Sequence, residues 1–138
     1  MNKLVRFGVS LDHQLLKAFD KHIERKKYPN RSEAIRDLIR DQLVGQEWSD
    51  NRETVGTITL IYDHHKPDLV RQLTDAQHQF GSLIISNTHV HLDHHHCLEV
   101  IIVRGKSANV QTLANSLIST KGVMHGKLTM TTTGEKLH

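Results

Sequence analysis

The sequence predicts an α+β fold in two units, a short βαα unit first and a larger βαββαβ unit after it. Three observations carry that expectation. Leu4 to Leu11 alternates apolar and polar residues with period two, and two stripes at helical spacing follow it directly. From Thr54 onward, segments with strand and helix patterns succeed one another as strand, helix, strand, strand, helix, strand.

In the first unit, Val5, Phe7, Val9 and Leu11 face one way and Arg6, Gly8 and Ser10 the other, as on a half-buried strand. Leu15, Leu16, Phe19 and Ile23 then recur at helical spacing to about Lys26, and Tyr28-Pro29 ends the run. Asn30 stands three residues before Glu33, the spacing of a capping box. Ala34, Ile35, Leu38, Ile39, Leu43 and Val44 carry a second helix from there. A lone strand leaves its backbone groups without a partner nearby in sequence, so the same strand of a second chain is the expected mate, in a two-fold dimer. Gln46 to Glu53, polar apart from Trp48, reads as a linker between a first domain at 1–48 and a second at 54–138.

In the second unit the expected elements are a strand at Thr54–Tyr62, a helix from Pro67 to about His78 and a strand at Ser82–Leu92. A strand at Cys97–Val103, a helix from Ser107 to about Thr120 and a strand at Val123–Thr131 complete it. That order suggests a split βαβ, ferredoxin-like sandwich with both helices on one face of the sheet. The other face must meet water or another subunit.

Composition narrows the function. The chain has 138 residues, 37% hydrophobic and 24% charged, enough apolar surface to bury a core and to exclude full disorder. Its longest aliphatic run is Val100 to Val103, too short to span a membrane, and its start lacks the apolar block of a secretory signal. Cys97 is the single cysteine, which excludes an intrachain disulfide and points to a reducing cytoplasm. The net charge is only +3, yet Met1 to Arg31 holds eight Lys or Arg against three acids. Positive charge gathered at one end suits contact with a polyanion.

Histidine is the unusual residue, with 12 in the chain and five between His89 and His96. His89 and His91 project from one face of their strand, and a short hairpin returns Cys97 beside them. Two imidazoles and a thiolate make most of a transition-metal site. A four-coordinate shell still lacks one ligand. His78 is the nearest candidate in sequence, and a neighbouring chain could also supply one; spacing leaves this open. Asp93 reads as a turn residue, and His94, His95 and His96 as solvated or at most a secondary site. His64 and His65 read as loop residues, and His13, His22, His125 and His138 as structural or solvated.

The segments RFGVSL (6–11), NRSEAIRDLIR (30–40), QH (77–78), THVHLDHHHCLEV (88–100) and KGVMHGKL (121–128) together resemble the NikR family of nickel-responsive transcriptional regulators. The resemblance runs from about Lys3 to Gly134. It implies an N-terminal ribbon-helix-helix unit whose paired strands enter the major groove of operator DNA. Arg6, Gly8 and Ser10 then match the base-reading positions. Arg6 can form a bidentate pair with guanine, whereas Gly8 departs from the polar residue of some members and offers no side-chain readout. Asn30 and Arg31, at the start of the second helix, would hold a backbone phosphate.

The resemblance also implies an ACT-like C-terminal domain that assembles a cytoplasmic homotetramer and binds one Ni(II) per chain. The implied ligands are His89, His91 and Cys97 of one chain and His78 of another, in a square plane that Cu(II) would also fit. Glu99, on the strand of Cys97, is a plausible acceptor for a ligand imidazole N–H. The implied function is repression of nickel-uptake genes when nickel is plentiful. Two other classes stand beside it. A metal storage or chaperone protein would bind several ions per chain and no specific DNA. A metalloenzyme would need a carboxylate placed as general base, and none is obvious.

Overall fold

A computed structural model describes residues 3–138. The chain forms two compact units, one reaching Leu43 and including Lys136–His138, the other Val44–Glu135.

The first unit contains α1 (His13–Lys26) and most of α2 (Arg31–Ser49). Asp12 caps α1 by accepting from the Gln14 N–H at 2.9 Å, and Lys27 ends it in the left-handed conformation at φ 60°. Asn30 Oδ1 accepts from the Glu33 N–H at 2.9 Å. The reciprocal arm of a capping box is not made, because the Glu33 carboxylate takes Arg36 instead. Leu4 to Leu11, read from sequence as a strand, carries no regular secondary structure in the single chain. Its apolar side chains stand in solvent, Leu4 at 91% and Phe7 at 70% exposure. The reason is the one that made the strand anomalous in sequence: a ladder needs a second strand, and one chain offers none. Among the described residues of this unit only Ala34 is buried.

The reading of Gln46–Glu53 as a linker is corrected by the structure. α2 continues to Ser49 and the next strand starts at Glu53. Trp48 decides this. Its ring packs on the core of the second unit, its indole N–H donates to the Thr131 carbonyl at 2.8 Å, and its own carbonyl accepts from Ser107 Oγ at 2.7 Å.

The second unit holds β1 (Glu53–Tyr62), α3 (Pro67–Gln79), β2 (Ile84–His91), β3 (Cys97–Lys106), α4 (Ser107–Ile118) and β4 (Val123–Thr131). A 3-10 turn at Gly81–Leu83 replaces the start of the expected third strand. The sheet is antiparallel in the order β2-β3-β1-β4, which makes β2 and β4 its edges. Ile58, Leu60, Ile101 and Val103 meet Leu69 and Leu73 of α3 and Val110, Leu113 and Leu117 of α4 in one core. Both helices therefore lie on one face. The other face carries Ile61, Leu98 and Val90 in a cross-strand row.

Candidate metal centre

Between Ile84 and Ser86 the β2–β3 register shifts by one residue. Without that bulge Ile84, Ser86, Thr88 and Val90 would share the helix-covered face. With it, Asn87, His89 and His91 do, because they pair with Ile101, Glu99 and Cys97. Period-two alternation in β3 buries Cys97 and Glu99 on that same face. Two exposed imidazoles on an edge strand thus stand beside a buried thiol and a buried carboxylate.

Glu99 organises the site. It is 1% exposed, and three donors converge on it. Tyr62 Oη donates to Oε1 at 2.8 Å, while Gln77 Nε2 and Asn87 Nδ2 donate to Oε2 at 3.0 and 3.1 Å. His89 Nε2 lies 3.1 Å from the same Oε2. A carboxylate there can hold the ring through Nε2 and leave Nδ1 to other partners. That Nδ1 faces Cys97 Sγ at 4.0 Å. Tyr62 Oη, at 3.4 Å from Nδ1, has already given its proton to Glu99. Burial, together with the bond to Glu99, pushes the Tyr62 hydroxyl pKa far up and keeps it a donor.

Of the predicted donors, His89 Nδ1 and Cys97 Sγ stand close enough to share a transition ion, whereas His89, His91 and Cys97 together do not bring their ligand atoms within 4.8 Å of one another. Imidazole nitrogen binds such ions at about 2.0 Å and thiolate sulfur at about 2.3 Å, so ligand atoms 4.0 Å apart can share one. Burial raises the Cys97 thiol pKa, an effect the Tyr62 hydrogen bond partly opposes. His91 sits across from Cys97 in the ladder, and its ring meets His64 edge-on with centroids 4.4 Å apart. His78, exposed on the last turn of α3, lines an open cleft of about 360 Å³ with Gln77, His89 and Glu99 of its own chain. Among the described residues it makes no hydrogen bond to His89, His91 or Cys97.

Sequence reading missed Tyr62, Gln77 and Asn87, which hold Glu99. Only Tyr62 left a signal, as the last inward position of β1 after Ile58 and Leu60. The role of His64 was open in the sequence, where an ordinary loop position fits it equally. In the structure its Nδ1 is buried without a partner, and desolvation lowers its pKa.

In the first unit Arg6, Gly8 and Ser10 are all exposed, and nothing lies within 4 Å of a Cβ built on Gly8. Arg31 is not a free cation. Its Nε and Nη2 bind Asp20 at 3.0 and 2.9 Å, tying α2 to α1. Asn30 spends its side-chain oxygen on the Glu33 N–H.

Residues 5–44 match the ribbon-helix-helix proteins of the copG family, and residues 55–131 match the NikR C terminal nickel binding domain. A DNA-binding unit followed by a nickel-binding unit defines a metal-responsive transcriptional regulator, not an enzyme. A nickel-responsive regulator of Nitratidesulfovibrio vulgaris (strain Miyazaki F) is 57% identical over 99% of both chains. One of Geobacter sulfurreducens is 58% identical over the full length of both. The chain belongs to the NikR family of nickel-responsive regulators. An uncharacterized protein of Thermotoga maritima shares the fold, at TM-score 0.52 and 14% identity over 57% of this chain and 98% of that one. No helix among the described residues is long and apolar enough to cross a membrane.

Proposed function

We propose that this chain is a cytoplasmic repressor of nickel-uptake genes that grips its operator when each chain holds one Ni(II). The ligands are His89, His91 and Cys97, with His78 of the partner subunit closing the shell. The observation that carries this is the arrangement of Glu99, His89 and Cys97. A buried carboxylate lies 3.1 Å from one ring nitrogen, and the other ring nitrogen lies 4.0 Å from the only thiol of the chain. That is how proteins orient metal-ligating imidazoles. Bound nickel would supply a planar coordination preference. The exposed edge position of His89 and His91 leaves room for a ligand from outside the chain.

Assembly follows from unburied apolar surface. Val5, Phe7, Val9 and Leu11 lie exposed on a segment without a strand partner, which favours pairing with the same segment of a second chain. The helix-free sheet face, with Ile61, Leu98 and Val90 in a row, favours a further contact, hence a dimer of dimers. His78 then ties α3 of one subunit to the β2–β3 edge of another. This shifts the population toward arrangements in which both N-terminal pairs reach their half-sites. Arg6 and Ser10 read base edges, Gly8 permits close approach, and the Asn30–Arg31 turn lies along a phosphate.

The test is a DNA-binding titration of the full chain, with and without Ni(II), on DNA selected by the nickel-loaded protein from a random pool. Zn(II), Cu(II) and chelator serve as comparisons. Tight binding should require nickel and vanish on chelation. Cys97→Ala should abolish it and leave weak, salt-sensitive affinity. Unchanged nickel-dependent binding in that variant would refute the ligand assignment. A storage or chaperone protein would take up metal in the same titration but select no DNA sequence.

A further inference from the structure

The polar face of Leu4–Leu11 carries Arg6, Gly8 and Ser10, and its middle position has no side chain. Nothing within the chain requires a glycine there. Gly8 is not among the residues with left-handed backbone, and a Cβ built on it meets no atom within 4 Å. Two other glycines behave differently. Gly122 has φ at 102° with Leu69 3.0 Å from its Cβ position, and Gly126 is closed in by Ile118. Their own unit explains both. A glycine weakens a strand, through backbone entropy and the missing side chain. One that the fold does not need has its effect where the face meets its partner.

On DNA that effect is a loss of contact. A strand rises about 3.3 Å per residue, so Arg6 and Ser10 of a paired ribbon stand about 13 Å apart with Gly8 midway. The N–H and C=O of Gly8 lie in the plane of the ribbon, along the ladder, and not toward the face. Arg6 reaches a guanine edge and Ser10 either a donor or an acceptor, while Gly8 extends nothing to the bases beneath it.

We propose, on the strength of the paired-ribbon reading above, that Gly8 determines specificity by absence: it leaves one unread position in each operator half-site, between the bases read by Arg6 and Ser10. A wrong base pair at a position read by a side chain costs about 5- to 100-fold in affinity, a penalty missing under Gly8. Promoters that differ there are then bound alike. Open space around the Cβ direction means that a side chain can be added without rebuilding the chain. Asparagine pairs bidentately with adenine, which makes Gly8→Asn the direct probe.

The experiment is selection of DNA from a random pool by the nickel-loaded full chain, with nickel counted per chain. Wild type is compared with Gly8→Asn, Arg6→Ala and Ser10→Ala. The two alanine variants should each lose base preference at one position and so mark the flanks. Wild type should show no preference between those flanks. Gly8→Asn should acquire an adenine preference there of about 5- to 100-fold, with the flanks and the nickel count of wild type. A wild-type preference between the flanks as strong as at them overturns the gap and leaves the operator reading standing. So does a Gly8→Asn that selects the same DNA as wild type, or one that loses all selection while holding nickel and sedimenting as wild type does. If wild type selects no sequence, the operator reading fails and the gap fails with it. Wild-type selection decides the gap even where Gly8→Asn does not assemble.

Discussion

Glu99 sits 1% exposed among apolar side chains, yet no polar group around it is left without a partner. A buried carboxylate is tolerated only when its oxygens are satisfied, and here three neutral side chains do that. Glu99→Gln keeps the shape but turns one acceptor into a donor facing donors. It should cost about 1–3 kcal/mol of stability. It should also weaken nickel binding about 10- to 100-fold, with the thiolate absorption still present at saturation. Chemical denaturation and competition titration check the two effects. Arg6 belongs at the same scale in the other unit. Arg6→Ala should cost about 1–3 kcal/mol of discrimination at one base step while nickel affinity stays unchanged, measured on operator and mutated-operator DNA. A loss of nickel binding in Arg6→Ala would mean that the two units do not work separately.

At the scale of elements, close approach explains why small residues sit where they do. A Cβ on Gly126 of β4 would stand 2.6 Å from Ile118 Cγ1 and 3.1 Å from Ile118 Cβ, at the end of α4. The branched side chain cannot swing clear, so Gly126→Ala should destabilise the second unit by about 1–3 kcal/mol. A thermal melt followed by tryptophan fluorescence would show it, because Trp48 packs on the same core. The Ile85 bulge works at this scale too. It changes which face of β2 carries the histidines and leaves the strand itself intact. Alternation in Ser82–Leu92 predicted that His89 and His91 share a face. It could not say that this is the face α3 and α4 cover, because that depends on how the sheet packs.

For the whole molecule, the distribution of exposed apolar residues separates the two units. The second has a closed core of its own, whereas the first buries only Ala34 among its described residues and exposes Leu4, Val5, Phe7, Val9, Leu15 and Leu38. On the function proposed above, another copy covers this surface. A charge on its strand face should prevent that. Phe7→Glu should reduce DNA affinity to the non-specific background and shift the sedimenting species to a smaller one, with the nickel count unchanged. Full operator binding by Phe7→Glu would remove the paired-strand reading.

The order of elements from β1 to β4 and the return of Cys97 beside His89 and His91 were legible from residue pattern, because strand and helix periods and hairpin lengths are local properties. The NikR resemblance rested on that same spacing, and the matches over residues 5–44 and 55–131 agree with it. Contacts made across elements were not legible. Trp48 turned a presumed linker into helix because its indole finds a carbonyl 83 residues away, at Thr131. Arg31 became a strut to Asp20, and Tyr62, Gln77 and Asn87 met around Glu99 from three different elements. Periodicity tells which way a side chain points from its own strand or helix, while its partners depend on how those elements pack, and that is settled only when the chain folds.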